Sequence, residues 1–146
     1  MNLPLTPDDL DLVASARAAM ANAYAPYSRF AVGAAVRLID GSIVTGSNVE
    51  NASYGLSLCA ETVALATVAS QGRLADVAAI AVAGGALDAS GRITGTDVIT
   101  PCGRCRQVIN EAEQVSGRPL SIHCAAAMGE AVRTHRLADL LPHAFG

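Results

Sequence analysis

The N-terminal segment has apolar positions that recur at helical spacing, and this pattern predicts an amphipathic helix over residues 7–22. Thr6 stands directly before Pro7, and acidic residues follow in the first turn, an order typical of a helix start. The positions expected to face the core are Leu10, Val13, Ala14, Arg17 through its aliphatic stem, Ala18 and Ala21.

Two segments rich in small and β-branched residues follow at residues 31–38 and 42–49 and predict two strands. Asp40-Gly41 lies between them and is typical of a hairpin turn. The continuous apolar run at residues 77–83 has the length of a strand that is covered on both faces. It is therefore the predicted centre of the sheet.

The rest of the chain mixes helical segments with short strands. Residues 59–70 are dominated by Ala, Val and Leu and predict a buried helix, and residues 102–114 predict a second one. Short strands are predicted near residues 98–99, 120–125 and 131–132, and a last helix at residues 136–141, which Pro142 ends. This order predicts one domain over residues 1–146, with a three-layer α/β/α fold and a mixed, roughly five-stranded sheet.

The composition is unusually apolar for a soluble monomer. Hydrophobic residues make up 51% of the chain and the mean hydropathy is +0.36. No uninterrupted apolar run is long enough to cross a bilayer, so we expect buried contacts between subunits rather than a membrane. The segment from Met1 to Asp11 is polar and acidic, so we expect no signal peptide and a cytoplasmic protein.

The charges argue against a nucleic-acid partner. The net charge is −3, and the ten basic residues are all Arg and are scattered along the chain. Binding to a phosphate backbone would favour a basic stripe, which the sequence lacks. Aromatic residues make up 3% of the chain, too few for a platform that stacks successive bases. A small, neutral substrate is the better expectation.

The most specific chemistry in the sequence is carried by cysteines in two separate segments. Cys59 stands two residues before Glu61, and Cys102 and Cys105 form a P-C-x-x-C motif farther along the chain. Three thiolates leave one open position on a tetrahedral zinc ion, which is typical of catalytic zinc sites. This pattern is also the signature of zinc-dependent nucleobase and nucleoside deaminases.

Other interpretations of these residues remain open at this point. A C-x-x-C pair alone also suits thiol exchange, and free cysteines are often inert core residues. Cys124 lies in a predicted strand; as a fourth ligand it would make the zinc site closed and structural. Glu61 by itself has the plain explanation of an acid that favours the N-terminal end of a helix dipole.

Both cysteine groups lie at predicted helix starts, where free N–H groups and the helix dipole favour thiolate over thiol. A carboxylate at Glu61 would lie close to the metal without binding it, and would move protons during the loss of ammonia. Three thiolates leave excess negative charge on the centre. We expect Arg104 and Arg106 to offset it through N–H···S contacts.

Five motifs occur in order along nearly the whole chain. They are Pro26 to Phe30 with Val32 to Ala35, Asn48 to Tyr54, Cys59 to Glu61, Pro101 to Gln107, and Leu140 to Pro142 with Ala144 to Gly146. Together they resemble the cytidine deaminase family in its short, homotetrameric form. The resemblance implies a cytidine-deaminase-like fold with one Zn²⁺ per chain. It also implies hydrolytic deamination of cytidine or 2′-deoxycytidine in pyrimidine salvage.

The resemblance further implies a role for each matched position. Cys59, Cys102 and Cys105 would bind zinc, and Glu61 would shuttle protons. The implied substrate contacts are Phe30 against the pyrimidine, Asn48 and Glu50 at the ribose hydroxyls, the Ala60 backbone N–H at the 2-oxo group, and Tyr54 and Phe145 in the pocket of a neighbouring subunit.

The chain also departs from the family pattern at the metal centre. Many members carry Arg directly after the C-A-E triplet, where this chain has Thr62, and often carry Ala where it has Arg104. We therefore expect charge compensation to have moved across the site to Arg104. Ala31 replaces the usual Pro after the aromatic residue, which is expected only to loosen the loop.

Three alternative functions follow from the same residues. The nearest is the same reaction on a modified cytosine nucleoside of the aminoacyl-nucleoside antibiotic type. A deaminase that edits nucleic acid would need the basic surface that the chain lacks. A non-catalytic zinc module would use Cys124 as the fourth ligand and would show no turnover.

Overall fold

The computed structural model describes residues 4–146, so the first three residues of the segment in which no signal peptide is expected lie outside the described part. Five strands form one mixed sheet with the order β2-β1-β3-β4-β5. The strands are β1 (Phe30–Leu38), β2 (Ile43–Ser47), β3 (Val77–Ala86), β4 (Ser121–Ala126) and β5 (Val132–Arg136). The helices are α1 (Pro7–Ala19), α2 (Ala60–Ser70), α3 (Gly103–Ser116) and α4 (Leu137–Leu140). The predicted fold class and strand number are confirmed.

The pairing of the strands determines where the two cysteine segments meet. β1 is antiparallel to both β2 and β3, so β2 and β3 run in the same direction. β3 and β4 are parallel, with α3 as the crossover between them. α2 follows β2 and α3 follows β3, so both helices begin at the same edge of the sheet. Ligands of α/β folds commonly bind at such an edge, beyond the carboxyl ends of the strands.

The sheet separates two apolar cores, which gives the predicted three layers. On one face, α1 packs through Leu12, Val13 and Ala16. On the other face, α2 and α3 pack against the sheet through residues such as Leu65 and Ile109. Both cores consist of fully or almost fully buried side chains, as expected for a sheet covered on both sides.

Two glycines allow the helices to approach the strands closely. A Cβ atom on Gly33 of β1 would lie 2.0 Å from the Ala16 carbonyl oxygen of α1. A Cβ atom on Gly46 of β2 would lie 2.6 Å from the carbonyl oxygen of Ala60 and from the backbone nitrogen of Ala64. The lack of a side chain at Gly46 thus allows the start of α2, which follows Cys59, to lie directly against β2.

The start of α1 was predicted correctly, but most of its buried face was not. Thr6 caps the helix, and its side chain and that of Asp9 form a reciprocal capping box. The buried residues of α1 are Leu12, Val13, Ala16 and Ala19. Only Val13 belongs to the predicted face, and Leu10 is 52% exposed. Residues 14–19 of the helix are mostly alanine, so the two sides of this half differ too little for spacing alone to identify the buried one.

The strand predicted near residues 98–99 is wrong. This segment is irregular, although the Ile99 backbone nitrogen donates to the Ala125 carbonyl oxygen at 3.4 Å. The segment lies against β3 and β4, which each pair with a strand on both sides, so it meets no free strand edge there. The other predicted elements are present with shifted ends. In residues 4–146, no helix combines the length and the apolar character needed to cross a bilayer.

Candidate metal centre and substrate cleft

Three cysteines converge where α2 and α3 begin. Cys59 is the N-cap of α2, Cys102 is the N-cap of α3, and Cys105 lies in the first turn of α3. Their sulfur atoms all lie within 4.8 Å of one another, and the Sγ atoms of Cys59 and Cys102 are 3.7 Å apart. The prediction that both cysteine groups open helices is confirmed, and the structure brings the two groups together.

This donor set fits zinc. Ligands at about 2.3 Å in a tetrahedron place neighbouring sulfurs about 3.8 Å apart, close to the observed Cys59–Cys102 distance. Cys124 lies fully buried in the core of the α2–α3 face and does not belong to the sulfur cluster. The three sulfurs therefore supply a site with an open fourth position, and the closed four-cysteine alternative lacks its last ligand.

The three thiols have different surroundings. Burial raises the pKa of Cys59 and of Cys105. Burial opposes ionisation of Cys102 as well, but hydrogen bonds from Cys105 outweigh it and lower the pKa of Cys102. Placement at a helix N-terminus favours the thiolate form. The arrangement thus makes Cys102 easier to ionise than the other two thiols, and a bound cation would favour ionisation of all three.

Glu61 lies beside the sulfur cluster, in the first turn of α2. Its side chain is largely buried, since the residue is only 4% exposed, yet it lines the adjoining cleft. Burial raises the pKa of the Glu61 carboxyl, while hydrogen bonds with its own backbone N–H and with Cys105 oppose the shift. An acid in this position faces both the sulfurs and the cleft, which the simple helix-dipole explanation does not require.

The cleft in front of the sulfurs has a volume of about 290 Å³. Its lining includes many of the residues predicted from sequence: Phe30, Asn48, Glu50, Cys59, Ala60, Glu61 and Cys102. The remaining lining residues are mostly apolar or small, with Val32, Leu58 and Ile99 among them. A mainly apolar cavity with a few convergent polar groups is typical of a small-molecule site.

Asn48 and Glu50 have structural contacts of their own. Asn48 Oδ1 accepts from the Val32 backbone N–H, and its Nδ2 donates to the Phe30 carbonyl, both at 2.9 Å. Glu50 Oε1 accepts from the backbone N–H groups of Tyr27 and Ser28, both at 3.0 Å. These hydrogen bonds lower the pKa of Glu50 against the opposing effect of its slight burial. Both side chains therefore shape the rim and present polar groups to the cleft.

The structure places Tyr54 beside the cleft and Phe145 away from it. Tyr54 is 77% exposed and lines a neighbouring cavity together with Tyr27, Ser28, Glu50 and Ser57. Phe145 is 87% exposed and does not line the cleft of its own chain. An exposed aromatic ring at each position is compatible with the predicted contact to a neighbouring subunit, which stays a prediction.

The N–H···S contacts expected of Arg104 and Arg106 do not form among residues 4–146. Arg104 donates to the Ser57 carbonyl at 3.4 Å. Arg106 donates to the carbonyls of Pro101 at 2.7 Å and Leu140 at 2.9 Å. The carbonyls of Ser57 and Pro101 lie in irregular segments and that of Leu140 ends α4, so these three groups have no partner within a helix or strand. The guanidinium groups donate to them instead. Compensation of thiolate charge by Arg104 stays a prediction.

Two further contacts near the site were not foreseen from the sequence. Thr62, one of the departures from the motif pattern described above, places its Oγ1 3.5 Å from Cys105 Sγ. Gln107 holds the C-terminal tail, donating to the Phe145 carbonyl at 2.8 Å and accepting from the Phe145 N–H at 3.2 Å. The motif that contains Gln107 was recognised, but its contact with a residue 38 positions away depends on the fold.

Within residues 4–146, no histidine belongs to the sulfur cluster. His123 is a buried residue of β4 whose Nδ1 lies 2.8 Å from Thr134 Oγ1. Its Nε2 lies 3.2 Å from an oxygen of Asp9, which also contacts Arg37. This polar group joins α1 to the sheet and has no contact with the cleft.

Known proteins resemble this chain in sequence and in fold. A family model described as "Cytidine and deoxycytidylate deaminase zinc-binding region" matches residues 6–116. A cytidine deaminase of Mycobacterium tuberculosis is 47% identical over 133 residues, which cover 90% of this chain and 85% of that protein. One from Halalkalibacterium halodurans is 41% identical over 135 residues, covering 92% of this chain and 91% of that protein.

A solved structure of a cytidine deaminase has the same fold as this chain. The crystal structure of cytidine deaminase from Burkholderia pseudomallei has a TM-score of 0.78 and 42% sequence identity. The match covers 97% of this chain and 100% of that one. The residues matched by the family model include all three clustered cysteines and Glu61. The chain therefore belongs to the cytidine and deoxycytidylate deaminase family, whose members share this zinc-binding region.

Proposed function

We propose that the protein is a zinc-dependent hydrolase that converts cytidine or 2′-deoxycytidine and water into uridine or 2′-deoxyuridine and ammonia. The observation that carries the proposal is the juxtaposition of three clustered thiols with the buried Glu61, since Cys59, Cys102 and Glu61 line one cleft. The polar side chains of Asn48 and Glu50 line the same cleft. The site thus has a metal centre, an acid–base group and sugar-binding groups in one cavity.

Cys59, Cys102 and Cys105 would hold the zinc ion through their sulfurs. When bound, the metal lowers the pKa of a coordinated water towards neutrality and so makes a nucleophile available. Glu61 would take up one proton of the attacking water and deliver it to N3 of the pyrimidine as the water oxygen bonds to C4. It would then move the second proton of that water from the new C4 hydroxyl to the amine, which leaves as ammonia when its bond to C4 breaks. Its burial between the sulfurs and the cleft keeps these transfers away from bulk water.

Other residues orient the nucleoside. Phe30 packs against the pyrimidine ring. Ala60 occupies the first position of α2, where the backbone N–H has no acceptor within the helix and is free to bind the 2-oxo group. Asn48 Nδ2 has a second hydrogen to donate, and Glu50 has a second carboxylate oxygen, so both can contact the ribose hydroxyls while keeping their backbone hydrogen bonds.

The proposal also covers the oligomeric state of the enzyme, its cellular location and its pathway. Residues 1–146 form one catalytic domain, and the active form is a homotetramer in which Tyr54 and Phe145 reach a neighbouring site. The exposure of these two rings and the apolar composition support such an assembly. Neither a nucleic acid nor a membrane is a partner. The enzyme works in the cytoplasm and salvages pyrimidine nucleosides.

Substrate profiling tests the proposal against its alternatives. The panel consists of cytidine, 2′-deoxycytidine, cytosine, an aminoacylated cytosine nucleoside and a cytosine-containing single-stranded oligonucleotide, each followed by product analysis. We expect uridine and ammonia in equal amounts from cytidine, and the corresponding products from deoxycytidine. The proposal would be contradicted if only the oligonucleotide, or only the modified nucleoside, were deaminated. Asn48 and Glu50 favour the unmodified sugar because they offer small hydrogen-bonding groups at the cleft rim.

A further inference from the structure

The three metal-binding thiols differ in their access to solvent. Cys102 is exposed and Cys59 is partly buried, so water can donate hydrogen bonds to their sulfurs. Cys105 is 0% exposed and cannot be hydrated. A buried thiolate without a hydrogen-bond donor carries a high desolvation cost, because its charge has lost its contacts with water. Of the three ligands, Cys105 therefore has the greatest need of a donor from the protein itself.

Thr62 offers that donor. Its Oγ1 lies 3.5 Å from Cys105 Sγ, across the contact between α2 and α3. A threonine hydroxyl within a helix often donates to the carbonyl four residues earlier, as Thr67 does to Val63 at 2.8 Å. Thr62 has no such bond among residues 4–146, and its hydroxyl is directed to the sulfur instead.

The neighbouring cations do not replace this contact. Arg104 and Arg106 donate to backbone carbonyls, and neither has a hydrogen bond to a sulfur in the described structure. Three thiolates on one divalent ion leave a net negative charge. A hydroxyl hydrogen bond reduces the electron density on one sulfur without adding a formal charge to the site.

We infer that Thr62 is a positioning residue of the metal centre, whose hydroxyl donates to the Cys105 thiolate and thereby strengthens zinc binding. The contact also ties α2, which carries Glu61, to α3, which carries two ligands. The inference deepens the proposed function, since it rests on the same zinc site, but it does not depend on which nucleoside is the substrate.

The test compares three variants of the zinc-loaded protein in competition with a chromogenic chelator. Thr62→Val removes the hydroxyl and keeps the branched shape, and we expect zinc affinity to fall by about 10- to 100-fold. Thr62→Ser keeps a hydroxyl and should bind zinc within about threefold of wild type. Thr67→Val makes the same substitution farther along α2, away from the sulfurs, and should retain wild-type affinity.

A second measurement uses Co²⁺ in place of zinc and reports on the sulfurs directly. Loss of a hydrogen bond raises the energy of the sulfur lone pairs, so the thiolate-to-metal charge-transfer band of Thr62→Val should move to longer wavelength. Wild-type zinc affinity and an unshifted band in Thr62→Val would overturn the inference, as would equal losses in Thr62→Val and Thr67→Val. Neither readout involves a nucleoside, so failure of the proposed reaction would be recognised separately.

Discussion

The Sγ atoms of Cys59 and Cys102 lie 3.7 Å apart, although the two residues are separated by 43 positions in the chain. Each is the N-cap of a helix, and the two helices begin at the same edge of the sheet because β2 and β3 run in the same direction. The metal centre is thus a consequence of strand order. It does not depend on a single local motif.

Replacement of a cluster cysteine should remove the metal, whereas replacement of the remaining cysteine should not. We expect Cys59→Ser to bind zinc at least about 100-fold more weakly than wild type, because a neutral hydroxyl is a poor substitute for a thiolate ligand. Cys124→Ala should keep one zinc per chain, with a modest loss of stability for the small cavity. Metal analysis after dialysis against a chelator measures both.

A result in which Cys124→Ala loses zinc to the same extent as Cys59→Ser would contradict the three-cysteine site. It would favour the closed site with four cysteines.

The close approach of α1 to β1 predicts a stability effect at Gly33. A Cβ atom there would lie 2.0 Å from the Ala16 carbonyl oxygen, so Gly33→Ala must push helix and strand apart. We expect a loss of about 1–3 kcal/mol in the free energy of unfolding. Gly55→Ala is the matched control, because a Cβ atom on Gly55 would meet nothing within 4 Å. Urea unfolding of both variants measures the difference, and equal stabilities would contradict the packing described.

Glu50→Gln separates the structural from the substrate-binding role of this side chain. The amide oxygen can still accept from the Tyr27 and Ser28 N–H groups, so the loop should keep its conformation. The charge-assisted hydrogen bond to the sugar is lost, and we expect KM for cytidine to rise about tenfold with a smaller change in kcat. Steady-state kinetics with Glu50→Ala alongside tests this, since the alanine variant should also lose thermal stability. An unchanged KM in Glu50→Gln would exclude the sugar contact.

His123 predicts a pH dependence of stability. Burial lowers the pKa of His123 below its usual 6.5, an effect that Asp9 opposes and Arg37 reinforces. The unfolded chain therefore takes up a proton at His123 near pH 6.5, whereas the folded protein takes it up only at a lower pH. Stability should fall as pH is lowered through 6.5 and should level off below the folded-state pKa. Above about pH 7.5 both states are neutral at this residue, and the contribution vanishes.

The measurement is urea unfolding of the zinc-saturated protein at pH 5, 6 and 7, with His123→Gln as the comparison. The two proteins differ by one titrating group. The slopes of their free energies of unfolding against pH should therefore differ by at most about 1.4 kcal/mol per pH unit. Effects of pH on zinc binding are shared by both proteins and cancel. Identical pH slopes in the two proteins would contradict the role assigned to the buried imidazole.

The sequence predicted the fold class from the order of its helix and strand patterns. It predicted the metal ligands from two short motifs, Cys59 to Glu61 and Pro101 to Cys105, each of which carries a strong signal within a few residues. The buried face of α1 was missed because alanine gives little contrast between the two sides of a helix. The acceptors of Arg106 and the contact between Thr62 and Cys105 depend on residues that only the fold brings together.

Turnover of cytidine by Glu61→Gln, with zinc content measured on the same sample, shows whether Glu61 is the acid–base group of a zinc-dependent deamination. Glutamine keeps the size and polarity of the side chain but cannot transfer protons. We predict one zinc per chain in both proteins, deamination of cytidine by the wild type, and a fall in kcat of about 10²- to 10⁴-fold in the variant. A zinc-loaded Glu61→Gln variant with a kcat within tenfold of wild type would contradict the account, as would a zinc-loaded wild type that leaves cytidine and 2′-deoxycytidine unchanged.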